Sequence, residues 1–170
     1  MKHRNLLLVI VILVNIFALW LTLPVYAADF TGPEPEFTGR VVGIVDGDTI
    51  DVLHNGKAKR VRLYGIDCPE REQAYGKKAK WFTSDLAFRK TVTVIVKDRD
   101  RYGRTIGEVI LPNGKSLNNE LVRAGYAWWY FKYAPKDFDL KILQKASMEL
   151  KAGLWADADP VAPWEFRGSS

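Results

Sequence analysis

The stretch from residue 39 to 66 constrains the fold most, because its residues alternate as in three antiparallel strands joined by tight turns. The apolar residues Ile50 and Val52 share one face of the second strand, since side chains alternate between faces along a strand. The turns are Asp-Gly-Asp at 46–48 and Asn-Gly at 55–56, and Asn-Gly is a strong signal for a two-residue hairpin. The sequence therefore predicts a three-stranded meander over this stretch.

Two further strands and about three helices follow the meander. Strands are predicted at 91–100, which is rich in β-branched residues, and at 106–111. Helical spacing and capping signals predict helices within 77–90, 116–127 and 135–155. The predicted class is α+β, mainly β. Short turns between most strands favour a five-stranded, partly open Greek-key barrel of the OB type, a fold that often binds nucleic acid or sugar.

The first 27 residues have the layout of a secretory signal peptide: a short basic stretch, an apolar run and small residues at the end. We expect cleavage after Ala27 and a secreted or periplasmic protein. The apolar run from residue 6 to 23 is also close to the length of about 20 residues that spans a bilayer. An uncleaved membrane anchor is therefore the alternative.

The remaining chain divides into a linker at 28–37, one domain at 38–155 and a tail at 156–170. The chain has one cysteine, so an exported form has no internal disulfide and depends on an ordinary core. Its net charge of +5 permits an anionic partner without requiring one. No feature of the sequence implies a protein partner, and we expect a monomer.

Three carboxylates converge on one end of the predicted meander. Asp48 begins the second strand and Asp67 ends the third, and these ends are adjacent in an antiparallel pair. Glu70 follows three residues later. Taken singly, such residues are also typical of turns and strand ends. Together they repel one another unless a cation lies among them, and oxygen ligands suit a hard cation such as Ca²⁺. A zinc-type cluster is excluded, because the only histidines are His3 and His54.

Two arginines accompany these acids. Arg62 lies on the polar face of the strand that leads to Asp67, and Arg104 follows a Tyr-Gly turn at the start of a strand. Each has a simpler interpretation. Arg62 could be a solvated residue or an ion-pair partner, and Arg104 could belong to a solvated basic hairpin tip with Arg99 and Arg101.

The ordered motifs resemble those of the thermonuclease family, the staphylococcal-nuclease-like domain. They are VDGDTI, VRLYGIDCPE, RYGRTIGEV, LNNELVRAGYA and KAGLW. The resemblance covers residues 38–155, and the tail PVAPWEFR is similar to the end of secreted bacterial members. It implies an OB-fold barrel with a calcium-dependent site that cuts DNA and RNA and leaves 3′-phosphate ends.

The resemblance also implies a role for each matching residue. Asp48 and Asp67 would be carboxylate ligands of Ca²⁺. Cys68 would supply its backbone carbonyl; the family usually has threonine there, and a carbonyl ligand tolerates the change. Glu70 would position or deprotonate the attacking water, and Arg62 would hold the scissile phosphate.

Arg104 would hold that phosphate together with Arg62 and stabilise its developing charge. Tyr102 and Tyr133 lie where the family stacks the nucleotide, although the aromatic stretch around Tyr133 could equally be core packing.

Two other interpretations stay open at this point. The domain could be a catalytically inactive OB-type module that binds nucleic acid or a protein. The presence of Arg62, Glu70 and Arg104 argues for an enzyme, because binding alone does not require all three. A membrane-tethered structural domain would need an uncleaved leader, and it does not exclude an enzyme.

Overall fold

The computed structural model describes residues 35–168. The predicted leader 1–27 and most of the predicted linker 28–37 lie outside these residues. None of the helices within 35–168 combines the length and the apolar character needed to cross a membrane.

Five strands close into a barrel, and two short strands form a separate pair. The seven strands in chain order are β1 (Glu36–Asp46), β2 (Thr49–His54), β3 (Lys57–Leu63), β4 (Ile66–Asp67), β5 (Thr91–Arg99), β6 (Thr105–Ile110) and β7 (Trp128–Trp129). The barrel order is β1-β2-β3-β6-β5, and β4 pairs with β7. Only the β3–β6 pairing in this barrel is parallel. The predicted five-stranded, mainly β fold of OB type is confirmed, with the barrel closed rather than partly open.

The sequence pattern explains the meander. Alternate side chains of β2 and β3 enter the barrel, where Ile50 and Val61 are fully buried and pair across the strands. The β2–β3 turn has positive φ at both Asn55 and Gly56, as a tight hairpin of this kind requires. Strand β1 begins at Glu36, so the predicted linker extends two residues too far. The buried side chain of Phe37 accounts for the difference.

The described residues contain four α-helices: α1 (Gly76–Ala87), α2 (Leu117–Arg123), α3 (Phe138–Glu149) and the short α4 (Pro163–Phe166). The predicted cap Ser116 accepts a hydrogen bond from the backbone N–H of Asn119. Helix α3 is shorter than the predicted segment 135–155. Positive φ at Lys151 and Gly153 prevents the helix from continuing after Glu149, and a 3₁₀ turn spans Gly153–Ala156.

The tail beyond residue 156 packs against the domain instead of trailing from it. Pro163 is buried at the start of α4, and the Trp164 ring stacks on Tyr130 with centroids 4.9 Å apart and an interplanar angle of 11°. Trp164 also meets the Trp128 ring edge-on at 5.6 Å. Trp128 lies in β7, so the tail rests on the strand that pairs with β4.

Candidate active site

The turn between β1 and β2 places Asp48 in the interior. The carbonyl oxygen of Gly47 accepts a hydrogen bond from Thr83 Oγ1 of α1 at 2.5 Å. A Cβ at Gly47 would lie 2.8 Å from the Cβ of Cys68 and 2.9 Å from the Cβ of Ala79. Glycine is therefore required for this turn to approach both α1 and the segment that carries Asp67. The Asp48 side chain is buried as a result.

The Arg62 guanidinium bridges two buried carboxylates. Its Nη1 pairs with Asp48 Oδ1, and its Nη2 donates to Asp67 Oδ1 at 2.6 Å. The second Asp48 oxygen accepts a hydrogen bond from the Cys68 backbone N–H at 2.6 Å. The structure thus brings Arg62, Asp48 and Asp67 together. Asp67 lies in the separate strand β4, not at the end of β3 as the sequence pattern predicted, because a turn with positive φ at Gly65 interrupts the strand.

Arg167, which no sequence pattern singled out, joins Glu70 to the same cluster. Its Nη2 is 2.8 Å from Asp67 Oδ2, and its Nη1 is 2.5 Å from Glu70 Oε1. The hydrogen bond to Asp67 is the main cause of a raised pKa for Arg167; burial opposes the rise and the bond to Glu70 adds to it. The five side chains form one chain of alternating charge: Asp48, Arg62, Asp67, Arg167, Glu70.

The tail motif PVAPWEFR has Arg167 as its last residue. Its tryptophan and phenylalanine suggest packing, but nothing in the sequence indicates which surface the following arginine reaches. Arg167 and Asp67 are 100 residues apart along the chain.

Cys68 is buried, and burial raises the pKa of its thiol well above the ordinary value. The thiol is therefore protonated at neutral pH and is a poor metal ligand, since thiolates are the form that binds metals. Backbone oxygen is the donor that this position offers to a hard cation.

The residues fit a hard cation held by few side chains. Within residues 35–168, no group of three or more His, Cys, Asp or Glu side chains is arranged to hold a metal ion. Two carboxylates, those of Asp48 and Asp67, nevertheless lie close enough to share one guanidinium. Calcium completes its shell of oxygen ligands with backbone carbonyls and waters, so two carboxylates suffice as the charged part of a donor set.

Arg104 and Tyr102 lie apart from this cluster, at the β5–β6 hairpin. Arg104 Nε donates to Asp100 Oδ2 at 2.6 Å, and no ion pair links Arg104 to the cluster among the described residues. Ile106 of β6 pairs with Arg62 of β3 in parallel, and Arg104 precedes Ile106 by two residues. Two residues span about 7 Å in a strand, which puts Arg104 near the cluster without direct contact.

Asp100 fixes the Arg104 side chain. Burial alone would raise the pKa of Asp100, but hydrogen bonds from the Arg104 side chain and from the backbone N–H groups of Arg104 and Tyr102 lower it below its ordinary value. The Tyr102 ring is 68% exposed, and the Arg104 guanidinium lies 5.8 Å from its centroid.

Tyr133 is also exposed, and its ring meets Tyr130 edge-on at 4.8 Å. Tyr130 is the residue on which Trp164 stacks. Tyr133 therefore borders the aromatic cluster that supports α4. The roles predicted for Tyr102 and Tyr133 stay predictions.

Comparison with known proteins agrees with this fold. Residues 60–157 match the model of the family described as staphylococcal nuclease homologue. An uncharacterized endonuclease of Escherichia coli O157:H7 is 49% identical over 129 residues, covering 76% of this chain and 84% of the relative. A micrococcal nuclease of Shigella flexneri is 42% identical over 144 residues, covering 79% and 83%.

A third relative, an uncharacterized endonuclease of Haemophilus influenzae, is 41% identical over 131 residues, covering 76% of this chain and 72% of the relative. The fold is that of an OB barrel of the nuclease-like class. The chain is a member of the staphylococcal nuclease homologue family.

Proposed function

We propose that the protein is an exported, calcium-dependent nuclease that hydrolyses phosphodiester bonds within DNA and RNA chains and leaves 3′-phosphate ends. The observation that carries this proposal is the pair of buried carboxylates, Asp48 and Asp67, joined by Arg62 beside Glu70. Family membership and the names of the relatives support a nuclease function in general, with nucleic acid as the substrate.

In this proposal Asp48, Asp67 and the backbone carbonyl of Cys68 hold the calcium ion. When bound, the ion would neutralise charge on the phosphate oxygens and make a coordinated water more acidic. Glu70 orients the attacking water and accepts its proton. Its side chain is 40% exposed, so water and substrate can reach the carboxylate, unlike the deeply buried aspartates.

The two arginines stabilise the phosphate as negative charge develops on it. Guanidinium groups bind phosphate through two parallel hydrogen bonds, a geometry that lysine cannot reproduce. Arg104 suits this role because its bond to Asp100 uses Nε, and a phosphate would take the two Nη nitrogens. Donors placed in advance at the position of developing charge lower the barrier without reorganising during the reaction.

The exposed rings of Tyr102 and Tyr133 would stack on bases of the bound strand. Base–aromatic stacking contributes about 1–3 kcal/mol per base and tolerates any sequence. This fits an enzyme that cuts DNA and RNA without strong sequence preference.

Digestion of plasmid DNA and single-stranded RNA tests the proposal. The protein, purified from cells that express the whole chain, is incubated with Ca²⁺ or with a calcium chelator. We expect degradation of both substrates with Ca²⁺ and none with the chelator. End-group analysis should find 3′-phosphates. Tight binding without cleavage in any divalent metal would instead indicate a binding module.

Export rests on the leader-like sequence of residues 1–27. Amino-terminal sequencing of the protein recovered from cell fractions tests it. Recovery outside the cytoplasm with Ala28 as the first residue is expected. A membrane-bound protein that still begins at Met1 would indicate the uncleaved anchor.

A further inference from the structure

The tail delivers Arg167 to the acidic cluster through a well-packed element. Trp164 of α4 stacks on Tyr130, and Pro163 beside it is buried. The side-chain amide of Gln73 donates to the carbonyl oxygen of Val161 at 2.6 Å. The same Gln73 accepts a hydrogen bond from the backbone N–H of Glu70 at 3.1 Å. The tail is therefore attached both to the barrel end and to the loop that carries Glu70.

The contacts of Arg167 differ from those of an ordinary surface ion pair. Exposed pairs typically contribute little to stability, because solvent competes for both partners. Asp67 is 1% exposed, and its second oxygen accepts a hydrogen bond from Arg167 at 2.8 Å. The same guanidinium reaches Glu70, which makes Arg167 the link between a buried carboxylate and an accessible one.

Glu70 needs such a link. It lies in the loop between β4 and α1, outside regular secondary structure, and its carboxylate is only partly covered. The bridge to Arg167 fixes this carboxylate relative to Asp67. A general base must be held within hydrogen-bond reach of the water it activates.

We propose that Arg167 is a positioning residue of the active site, which holds the Glu70 carboxylate against Asp67 in the orientation needed to activate water. This inference rests on the proposed nuclease function. The packing of α4 indicates that the tail stays bound and is not an inhibitory segment that dissociates. Dissociation would expose Pro163 and separate Trp164 from Tyr130.

Kinetics of Arg167→Ala and Arg167→Lys test the proposal. Arg123→Ala is the matched control, since Arg123 is an exposed arginine paired with Glu120 on α2. A misplacement of about 1 Å can reduce a rate about 100-fold, so we expect kcat to fall about 10- to 100-fold in both Arg167 variants. KM should change less than kcat. The lysine variant should not recover the loss, because its three donors share one nitrogen and cannot reproduce the spacing and planar geometry of a guanidinium between two carboxylates. Added guanidinium ion should partly restore Arg167→Ala.

A double-mutant cycle with Glu70→Gln separates positioning from general structural damage. If Arg167 acts through Glu70, Arg167→Ala should cost little further activity once Glu70 is replaced, because residues that act as a unit are not additive. Full additivity of the two effects would overturn the proposal. So would wild-type kcat in Arg167→Ala, or a higher rate at limiting Ca²⁺, which would make Arg167 a competitor of the metal.

Hydrogen exchange supplies a readout that does not depend on nuclease activity. The loop at 68–76 should exchange faster in Arg167→Ala than in wild type, and Arg123→Ala should leave it unchanged. An unchanged loop in Arg167→Ala would contradict the positioning role even if the wild-type protein cut no nucleic acid. Inactive wild type with a loosened loop would instead contradict the nuclease function and leave the structural link standing.

Discussion

Arg62 compensates two carboxylates that the fold removes from water. Asp48 is 4% exposed and Asp67 is 1% exposed, and both bond to this guanidinium. Removing one partner of a buried ion pair leaves an uncompensated charge and costs about 3–5 kcal/mol. Loss of activity on replacement of Arg62 would therefore mix catalytic and structural effects. Glu70 offers a cleaner test, because it is not part of the core.

Replacing Glu70 by Gln should abolish most of the activity while preserving the fold. Loss of a general base typically reduces the rate about 10²- to 10⁴-fold. The free energy of unfolding should fall by about 1 kcal/mol or less, because the Glu70–Arg167 pair is partly solvated and Glu70 lies outside the core. Digestion rates and urea denaturation give the two readouts. Glu149→Gln, at an exposed position in α3, serves as the control, and wild-type turnover in Glu70→Gln would remove this residue from the mechanism.

Asp100→Asn should loosen the Arg104 side chain and destabilise the β5–β6 hairpin. The loss of stability should depend on pH. The folded pKa of Asp100 lies below its ordinary value. Its contribution to stability is therefore present above about pH 4, the ordinary pKa of aspartate, and is lost as the pH falls through the folded pKa. We expect the free energy of unfolding of the variant to be about 1 kcal/mol lower than that of the wild-type protein at pH 7.

Urea denaturation at pH 7 and pH 3 would measure this difference, which should shrink at the lower pH. Asp159→Asn, an exposed position in the tail, provides the comparison. A stability difference that does not change with pH would contradict the role of the Asp100–Arg104 bond.

Among the elements, the contact between α1 and the Glu70 loop depends on a glycine. Gly76 is the first residue of α1, and a Cβ there would overlap the carbonyl oxygen of Glu70. This close approach joins the helix to the loop that presents the candidate base. The short strand pair β4–β7 likewise fixes the position of Asp67, because Asp67 pairs with Trp128.

Gly76→Ala should therefore be destabilising, although alanine is the better helix former by about 1 kcal/mol. Crowding in a packed site costs about 1–3 kcal/mol, and the displaced loop should also lower kcat. Thermal denaturation and digestion rates test both effects. Lys77→Ala, at the exposed neighbouring position, should change little. A Gly76→Ala protein that is more stable and fully active would show that the loop moves aside without consequence.

For the whole molecule, calcium should stabilise the folded state, because Asp48 and Asp67 come together only when the barrel forms. A ligand that binds only the native state at 100 times its Kd raises the free energy of unfolding by about 2.7 kcal/mol. Denaturation with and without Ca²⁺ measures the shift. Asp48→Asn should lose most of it, and an equal shift in that variant would place the calcium elsewhere.

The sequence by itself determined the barrel and the proximity of Asp48 to Asp67. Alternation across β2 and β3, the Asn-Gly turn and the spacing of Asp48 from Asp67 are local patterns with defined geometric consequences. They identify which residues enter the core and which acids meet at one end. The ordered motifs added the family, which the comparisons then supported.

Tertiary structure alone decided the rest. No local pattern shows that β3 ends before Asp67, that α4 folds back onto β7, or that Arg167 reaches Asp67 from 100 residues away. These features depend on how Trp164 packs against Tyr130 and on the burial of Asp67 in β4, outside the barrel. Local periodicity reflects the geometry of strands and helices, whereas contacts between distant segments are fixed only by the packing of the complete chain.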